Sequence, residues 1–468
     1  MVDKPIYEMA NYLINPPNFS KGAYQSARLC LADSIGCAIL ALNFPACTKL
    51  LGPIIPHTEV PNGCHVPGVK ESLNPIEAAF QWGVLIRWLD FNDTWLAKEW
   101  GHPSDNIGTI LAIAEMKNLT MKQVLEAIIQ AYEMQGVLAL SLSCNQLGFD
   151  HTFFVKIASA GIAAKLLGGT FNQIADALSQ AWIDGAPLRT YRHGKTTGSR
   201  KSWAAGDAAS RGLFLAHLTM KGEKGYGEAL FIKPWGVQSL FFKEQPIKLA
   251  RSLDEYVIDH ILFKVLYPAE FHAQTAVEAA LKLHPLIKDR IHEIDSIQIE
   301  THDSALKIID KTGPLRSPAD RDHCLQYMVA VALVFGRLTA DDYEETVASD
   351  SRIDILREKM TLVESPQYSK DYHLEEKRSI ANSIQIFFLD QTATEKVSIE
   401  YPIGHKFRRE EALPHLMEKL KQNLLTIYPE EKAEEIFTLL QNQEDLENTP
   451  VKFFTQEVLL HKLQAPLS

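Results

Sequence analysis

The fold class is decided by one short stretch of the chain, His292–His302, with the sequence HEIDSIQIETH. Apolar and polar side chains alternate along it, and this period of two is typical of a half-buried β-strand. Most of the sequence before it carries a helical period instead. The change of period predicts a helical part followed by a part that mixes helices and strands.

The helical part is indicated by the spacing of apolar residues and by residues that favour helix N-termini. Apolar residues recur on one face of a helix through Ala23–Leu42. Pro75 and Ser104 stand where helices are expected to begin. Thr120 and Thr170 each precede a glutamine three residues later, which predicts two capping boxes. A further helix is expected near 269–283.

The mixed part contains a second alternating pair, ANSIQIFFLD and TEKVSIEYP, which predicts a hairpin around 391–393. Helices are expected near 321–335 and 339–347, and the tail is helical again. We therefore predict a helical domain over 1–265, an α+β domain over 266–405 and a helical segment over 406–468. The tail could return to the first domain, which would make the α+β part an insertion.

Composition limits the function. The chain has 468 residues and a net charge of −11, so nucleic acid and anionic membranes are not expected partners. The N-terminus lacks a basic region followed by an apolar core, so no secretory signal is expected. The six cysteines form no C-x-x-C pair. We therefore expect reduced thiols, a cytoplasmic protein and no iron–sulfur cluster.

The first stretch rich in titratable groups is DFNDTWLAKEWGHPSDN, Asp90–Asn106, at a break between two apolar helices. Asp90 and Thr94 would share a helical face if the helix from Pro75 continues for one more turn. His102 would lie at the positive end of the next helix, where the dipole favours a neutral imidazole, a usable base near pH 7. The alternative is an ordinary solvated loop.

A second histidine, His151, directly precedes another apolar helix, with Asp150 or Thr152 as the expected cap. A single histidine at a helix start is commonplace. Two such histidines, each beside an aspartate or a threonine, favour a proton-transfer site.

The stretch from Arg189 to Asp207 carries five cations and no acid before its last residue, in a chain of net negative charge. Lys201 would lie at a helix N-terminus, where the dipole disfavours a cation. An anionic ligand there would relieve the conflict, so Lys201 and Arg200 are candidate substrate-binding residues. The alternative is a basic loop paired with surface acids.

Lys264, in FKVLYPAEFHAQTAVEAA, precedes a helix that Pro268 is expected to open. It lies at the predicted junction of the two domains, and clefts between domains are common ligand sites. Together these residues indicate a small, strongly anionic substrate with histidine and aspartate for proton transfer. Ligation of a metal by His102, His151 and Asp90 is an alternative, but the tight histidine spacing of metal sites is missing.

Four segments resemble the MmgE/PrpD family, namely DFNDTWLAKEWGHPSDN, TGSRKSWAAGDAASRG, FKVLYPAEFHAQTAVEAA and IEYPIGH. The resemblance implies a large helical domain built from both chain ends, a smaller α+β lid inserted between them, and a homodimer. An active-site pattern from a decarboxylase of this family falls on these residues: Asp90, Thr94, His102, His151, Lys201 and Lys264. The spacing from Thr94 to His102 is two residues longer here than in that decarboxylase.

The resemblance also implies the chemistry. We expect a lyase without cofactor or metal that removes water from the tricarboxylate 2-methylcitrate, with possible side activity on citrate or cis-aconitate. Asp90, Thr94, His102 and His151 would be catalytic, and Arg200, Lys201 and Lys264 would bind carboxylates. Decarboxylation of cis-aconitate or isomerisation of a related dicarboxylate on the same scaffold is the alternative.

Overall fold

The computed structural model describes residues 2–193, 197–243 and 245–459. The first part of the chain is helical, as its apolar period predicts. Its longer helices are α1 (Lys4–Ile14), α2 (Lys21–Ala41), α3 (Pro75–Arg87), α4 (Ile107–Lys117), α5 (Met121–Ser141), α6 (Thr152–Leu166), α7 (Phe171–Ile183) and α8 (Arg200–Met220).

The second part mixes helices and strands. In chain order it contains α9 (Gln274–Ile287), β1 (Ile294–Thr301), α10 (Leu325–Phe335), α11 (Ser351–Glu358), β2 (Met360–Glu364), α12 (Pro366–His373), β3 (Asn382–Phe388), β4 (Val397–Ile399), α13 (Arg409–Leu425) and α14 (Glu430–Gln441). Shorter helices occur at Thr190–His193, Tyr256–His260, Asp303–Ile309, Pro318–Arg321 and Gln443–Asn448.

The strands form one four-stranded sheet in the order β2-β1-β3-β4. β1 pairs antiparallel with β3, and β3 pairs antiparallel with β4, so the predicted strand and hairpin are confirmed. β2 pairs parallel with β1 and was not expected from the sequence. The chain therefore combines a mostly helical part with a small mixed sheet.

Several predicted helix boundaries are confirmed and others are wrong. Thr120 and Thr170 both form capping boxes with the glutamines at their third positions. The helix expected from Pro268 begins only at Gln274, after a 3-10 turn. Ser104 does not cap α4, because a 3-10 turn from Pro103 to Asn106 precedes that helix.

The helix from Pro75 ends at Arg87, and Asp90 adopts a left-handed backbone with φ of 50°. Asp90 and Thr94 therefore do not share a helical face, and the expected extra turn is absent. The physical reason lies in the Asp90 side chain, which is drawn into a buried ion-pair cluster rather than left at a helix end.

Two large hydrophobic cores and two small apolar clusters lie in the described part of the chain. The larger core joins buried side chains from residues 6–265, together with Ala340, to side chains from residues 412–459. The smaller is formed by side chains from residues 267–388. α13 packs against α2, so the C-terminal helices return to the first part of the chain.

Helix α8 packs closely against both α3 and α6. A Cβ atom on Gly206 of α8 would lie 2.4 Å from the carbonyl oxygen of Phe80 in α3, so only glycine permits this approach. The contact fixes the end of α3 relative to the start of α8, and both ends carry candidate site residues.

All six cysteines are buried and free. Across the described ranges, no helix combines the length and apolar character required to cross a membrane.

Candidate active site

One cavity lies between the two cores and collects most of the candidate residues. Asp90, Thr94, His102, His151 and Lys264 all line it, although they are distant in sequence. Side chains from the second part of the chain, including Glu270, Ile308 and His323, complete its wall.

The first group in this cavity is built around Asp90. Arg87 Nη1 donates to Asp90 Oδ1 at 2.6 Å, and Lys264 Nζ donates to the Asp90 carbonyl oxygen at 2.6 Å and to Oδ1. Burial raises the pKa of Asp90, but the charges of Arg87 and Lys264 outweigh it and hold that pKa well below the usual value. Asp90 is therefore ionised in a dry environment.

His102 has a defined tautomer. Its Nδ1 lies 2.6 Å from the Asp93 carbonyl oxygen, so this nitrogen carries the hydrogen and donates it. Arg87 Nη2 lies 2.8 Å from Nε2, and because a guanidinium only donates, Nε2 is the acceptor. Burial, with Arg87 and Lys264 adding to it, lowers the pKa of His102 well below 6.5. The imidazole is neutral, as expected, but burial and cations rather than a helix dipole are the cause.

His151 faces His102 edge-on, with ring centroids 5.6 Å apart. Its Nδ1 lies 3.2 Å from Asp150 Oδ1, and its Nε2 lies 3.7 Å from Asp105 Oδ2. His151 is the N-cap residue of α6 and makes no side-chain cap hydrogen bond, but Asp150 Oδ1 accepts from the Thr152 amide at 3.2 Å. Each ring nitrogen of His151 thus has a carboxylate on its side.

Asp150 is the centre of a second charged group. Arg192 Nε donates to Asp150 Oδ2 at 2.5 Å, and Arg189 Nη1 lies 3.8 Å from the same oxygen. Burial raises the pKa of Asp150, but Arg192, His151 and Arg189 hold it well below the usual value. The histidine pair therefore lies between two clusters of arginine and aspartate.

Thr94 is held by a backbone bridge to Leu262, with its amide donating to the Leu262 carbonyl at 2.7 Å. Its hydroxyl Oγ1 is buried and lacks a hydrogen-bond partner among the residues that the structure describes. Because Thr94 lines the cavity, this hydroxyl is available to a bound molecule.

Lys201 does not line this cavity. Its ammonium lies 2.5 Å from Asp322 Oδ2 and 3.3 Å from His323 Nδ1, and the side chain is buried. The anion that relieves Lys201 at the start of α8 is thus a carboxylate of the chain itself. His323 connects the pair to the cavity, since its Nε2 lies 3.9 Å from Asp90 Oδ2.

Arg200 is not brought together with the other candidates. Its guanidinium pairs with Asp207 at 3.2 Å and lies over the Trp203 ring at 4.3 Å from the centroid. The side chain is 39% exposed, so it faces solvent rather than the cavity. Lys195, another cation of this stretch, lies outside the described residues.

The C-terminal helix α13 supports the site from behind. Lys419 Nζ donates to Asp33 Oδ1 at 2.6 Å, to the Phe91 carbonyl at 2.7 Å and to the Lys264 carbonyl at 2.8 Å. All three donor positions of this buried ammonium are used. Lys419 therefore ties together the two segments that carry Asp90 and Lys264.

Sequence reasoning missed several residues of the cavity wall. Arg87 lies one turn before Asp90, so its spacing was a usable signal. Arg189 and Arg192 were counted only as part of the basic stretch. The dyad of Glu270 Oε1 and His272 Nδ1, 2.8 Å apart, and the pair of Asp322 and His323 are local in sequence, but nothing in their spacing indicated that they face the cavity.

Within residues 2–193, 197–243 and 245–459, no group of three or more histidine, cysteine, aspartate or glutamate side chains is placed to hold a metal ion. The cavity wall contains paired cations and carboxylates, five histidines of which His102 and His151 face each other, one threonine and a few apolar side chains.

The chain belongs to the MmgE/PrpD family. The MmgE/PrpD N-terminal domain matches residues 8–250, and the MmgE/PrpD C-terminal domain matches residues 267–445.

Curated relatives match almost the whole chain. The 2-methylcitrate dehydratase of Escherichia coli K12 is 50% identical over 462 residues, covering 96% of each chain. The 2-methylcitrate dehydratase of Cupriavidus necator is 51% identical with the same coverage. The mitochondrial 2-methylcitrate dehydratase of Yarrowia lipolytica is 47% identical and covers 96% of this chain and 89% of that protein.

Proposed function

We propose that this chain is a hydro-lyase that removes water from 2-methylcitrate and forms 2-methyl-cis-aconitate. The proposal rests on a cavity in which a histidine pair lies between two clusters of arginine and aspartate. The chain that forms this cavity is about half identical to 2-methylcitrate dehydratases over 96% of its length. We propose the same activity here because the similarity extends over all the segments that build the cavity.

The substrate carries three carboxylates at neutral pH, and the cavity is suited to them. Arg87 and Lys264 contribute cations on one side of the histidine pair, and Arg192 contributes one on the other side. At an effective dielectric of about 20, each charge contact near 4 Å is worth roughly 4 kcal/mol before desolvation is subtracted. Lys201 acts through His323, and Arg200 lies too far out to contact a substrate in this arrangement.

The reaction begins with loss of a proton from the carbon next to a carboxylate. We assign His102 as the base, because its Nδ1 hydrogen is fixed on the Asp93 carbonyl and its lone pair is on Nε2. A nearby substrate carboxylate adds negative charge, which raises the pKa of His102 and strengthens it as a base. The cations that hold that carboxylate stabilise the charge that develops on it.

The hydroxyl must leave with a proton, and we assign His151 as the acid. Both of its nitrogens have a carboxylate nearby, and Nε2 has no hydrogen-bond partner in the described part of the chain. The carbon–oxygen bond breaks as the electron pair of the lost C–H bond forms the double bond, and the His151 proton completes the departing water. We assign Thr94 Oγ1, which has no hydrogen-bond partner among the described residues, to orient the hydroxyl.

The apolar side chains of the wall support a methylated substrate. Leu96, Phe271 and Ile308 line the same cavity as the charged groups. A methyl group in an apolar site gains roughly 1–3 kcal/mol, so 2-methylcitrate should be preferred over citrate by about 10- to 200-fold in kcat/KM.

We also propose that residues 1–265 and 406–468 form a helical domain and residues 266–405 an inserted α+β lid, which the two separate cores support. A cytoplasmic homodimer is part of the proposal. Exposed apolar side chains between residues 226 and 241, including Trp235 at 75% exposure, support a subunit contact, and the mass measured by light scattering tests it.

The test of function is a substrate panel with purified protein: stereoisomers of 2-methylcitrate, citrate and cis-aconitate. Ultraviolet absorbance of the conjugated product and released CO2 are followed together. We expect absorbance to rise with 2-methylcitrate and no CO2. Release of CO2 from cis-aconitate without dehydration of 2-methylcitrate would overturn the proposal in favour of a decarboxylase.

A further inference from the structure

Arg189 is a cation of the cavity wall whose hydrogen bonding is incomplete. It is 5% exposed and lines the wall, yet its Nη1 has no hydrogen-bond partner in the portion of the chain that the structure describes. Unsatisfied charged donors in dry surroundings are rare and costly, so such a group is expected to meet a ligand.

The neighbouring acids leave this guanidinium incompletely compensated. Nη1 lies 3.6 Å from Glu99 Oε1 and 3.8 Å from Asp150 Oδ2, beyond hydrogen-bond distance in both cases. Asp150 is already engaged by Arg192 at 2.5 Å. Arg189 Nε donates to His193 Nε2 at 3.0 Å, and burial with the nearby arginines lowers the pKa of His193 to about 4, so this acceptor is neutral.

Glu99 supports the same conclusion. Its Oε2 accepts from the Asn145 amide at 2.8 Å and from Ser143 Oγ at 3.1 Å, whereas Oε1, which faces Arg189, accepts no hydrogen bond from the described residues. Burial raises the pKa of Glu99 to about 7, so it carries only part of its charge at neutral pH.

The guanidinium also lies near an aromatic ring of the cavity wall. Its Cζ lies 5.9 Å from the centroid of the Trp100 ring, and Trp100 lines the cavity too. A planar, preorganised fork of donors is the group that best recognises a carboxylate. Thr94 Oγ1 and His151 Nε2 are further unpartnered polar atoms on this wall.

We infer that Arg189 forms a carboxylate subsite on the Asp150 side of the histidine pair, and that this subsite selects tricarboxylates over dicarboxylates. The inference rests on the proposed function and deepens it. Arg87 and Lys264 hold a terminal carboxylate on the Asp90 side, where the proton is removed, while Arg189 holds the central carboxylate, which is attached to the carbon that loses the hydroxyl. Binding at this second carboxylate orients the substrate for the reaction.

The test uses calorimetric titration with two unreactive probes, tricarballylate and glutarate, which lacks the central carboxylate of tricarballylate. Wild type, Arg189→Gln and Arg189→Lys are compared, with Arg211→Gln as the control because Arg211 is 45% exposed and pairs with Asp184. We expect Arg189→Gln to weaken tricarballylate binding by about 10- to 100-fold, as for other hydrogen bonds to charged groups. Glutarate binding should change by less than about 3-fold, and Arg189→Lys should recover part of the loss.

A structural role would give another result. The subsite is overturned if Arg189→Gln lowers the melting temperature and weakens the binding of both probes equally. It is also overturned if tricarballylate binds this variant as tightly as it binds wild type. Neither result contradicts the proposed dehydratase activity. If wild type neither binds tricarballylate nor converts 2-methylcitrate, both proposals are overturned. Arg189→Lys retains the charge and the buried stem, so it provides a folded comparison even if the glutamine variant is unstable.

Discussion

Arg87 Nη2 lies 2.8 Å from His102 Nε2, so the guanidinium donates to the lone pair of the imidazole. The same guanidinium holds Asp90 through Nη1 at 2.6 Å. A substrate carboxylate competing for Arg87 would release the base at the moment when the substrate arrives.

This relationship predicts a pH profile. Burial and the cations lower the pKa of His102 well below 6.5, and a base must be deprotonated to act. The acid limb of kcat/KM, which reports the free enzyme, should therefore lie below pH 6.5. Arg87→Gln removes a positive charge that lowers this pKa, so the limb should shift to higher pH. A limb that stays in place in the variant would contradict the assignment of His102.

Substitution of either histidine is expected to lower catalysis without preventing ligand binding. His102→Asn and His151→Asn should each lower kcat by about 10²- to 10⁴-fold, the usual contribution of a positioned proton-transfer group. Tricarballylate should still bind both variants, because the cations of the cavity remain. Single-turnover measurements with 2-methylcitrate check this, and a His151→Asn enzyme of nearly normal kcat would remove that residue from the mechanism.

Lys201 is expected to matter first for folding. Lys201→Met leaves Asp322 buried without its ammonium, and breaking a buried pair in this way costs about 3–5 kcal/mol of unfolding free energy. The double variant Lys201→Met with Asp322→Asn removes both charges and should recover most of that loss. Urea unfolding of the three proteins measures the coupling, and additive losses would mean that the pair is not a stabilising unit.

Glu99 predicts a pH dependence of binding. Burial raises its pKa to about 7, and the charged groups that face it are Arg189 and Asp150. Above pH 7 the ionised Glu99 competes with the ligand for Arg189, so the Kd of tricarballylate should rise as the pH passes through 7. In Glu99→Gln this rise should disappear. The ratio of the two Kd values at each pH cancels the titration of the ligand, and a constant ratio would be evidence against the competition.

The cysteine spacing argues against an iron–sulfur cluster and the histidine spacing against other metals, so the activity should be independent of metals. Turnover of 2-methylcitrate should be unchanged by EDTA and by aerobic or anaerobic purification. Stoichiometric iron or zinc in the pure protein, with activity lost on its removal, would contradict this prediction.

The fold was predictable where local signals decide it. Thr120 and Thr170 cap their helices as predicted because a capping box depends only on residues within one turn. β2, with its short and mostly exposed strand, lacks the buried alternation that identified β1, so it was missed. Its position depends on pairing with β1, which no local pattern encodes.

The sequence predicted which residues line the candidate site better than it predicted which of them form ion pairs. Asp90, Thr94, His102, His151 and Lys264 do lie on one cavity, as their chemistry indicated. The role of Lys201 was harder to predict, because its partner Asp322 is more than 100 residues away and lies on the other part of the chain. Charge pairs across such a separation leave no trace in a single sequence, and they decide which cations remain available to a ligand.

The reach of Lys419 into the site has a consequence for synthesis. Its ammonium joins the carbonyls of Phe91 and Lys264, so this third link between the segments carrying Asp90 and Lys264 forms only after residue 419 has left the ribosome. Chains emerge at about 5–20 residues per second and fold from the N-terminus as they appear. The core formed by residues 267–388 can assemble while translation continues, whereas the Lys419 contacts that hold the two segments form late. A chain that ends before α13 would therefore carry every residue that lines the cavity but lack the ammonium that fixes two of its segments.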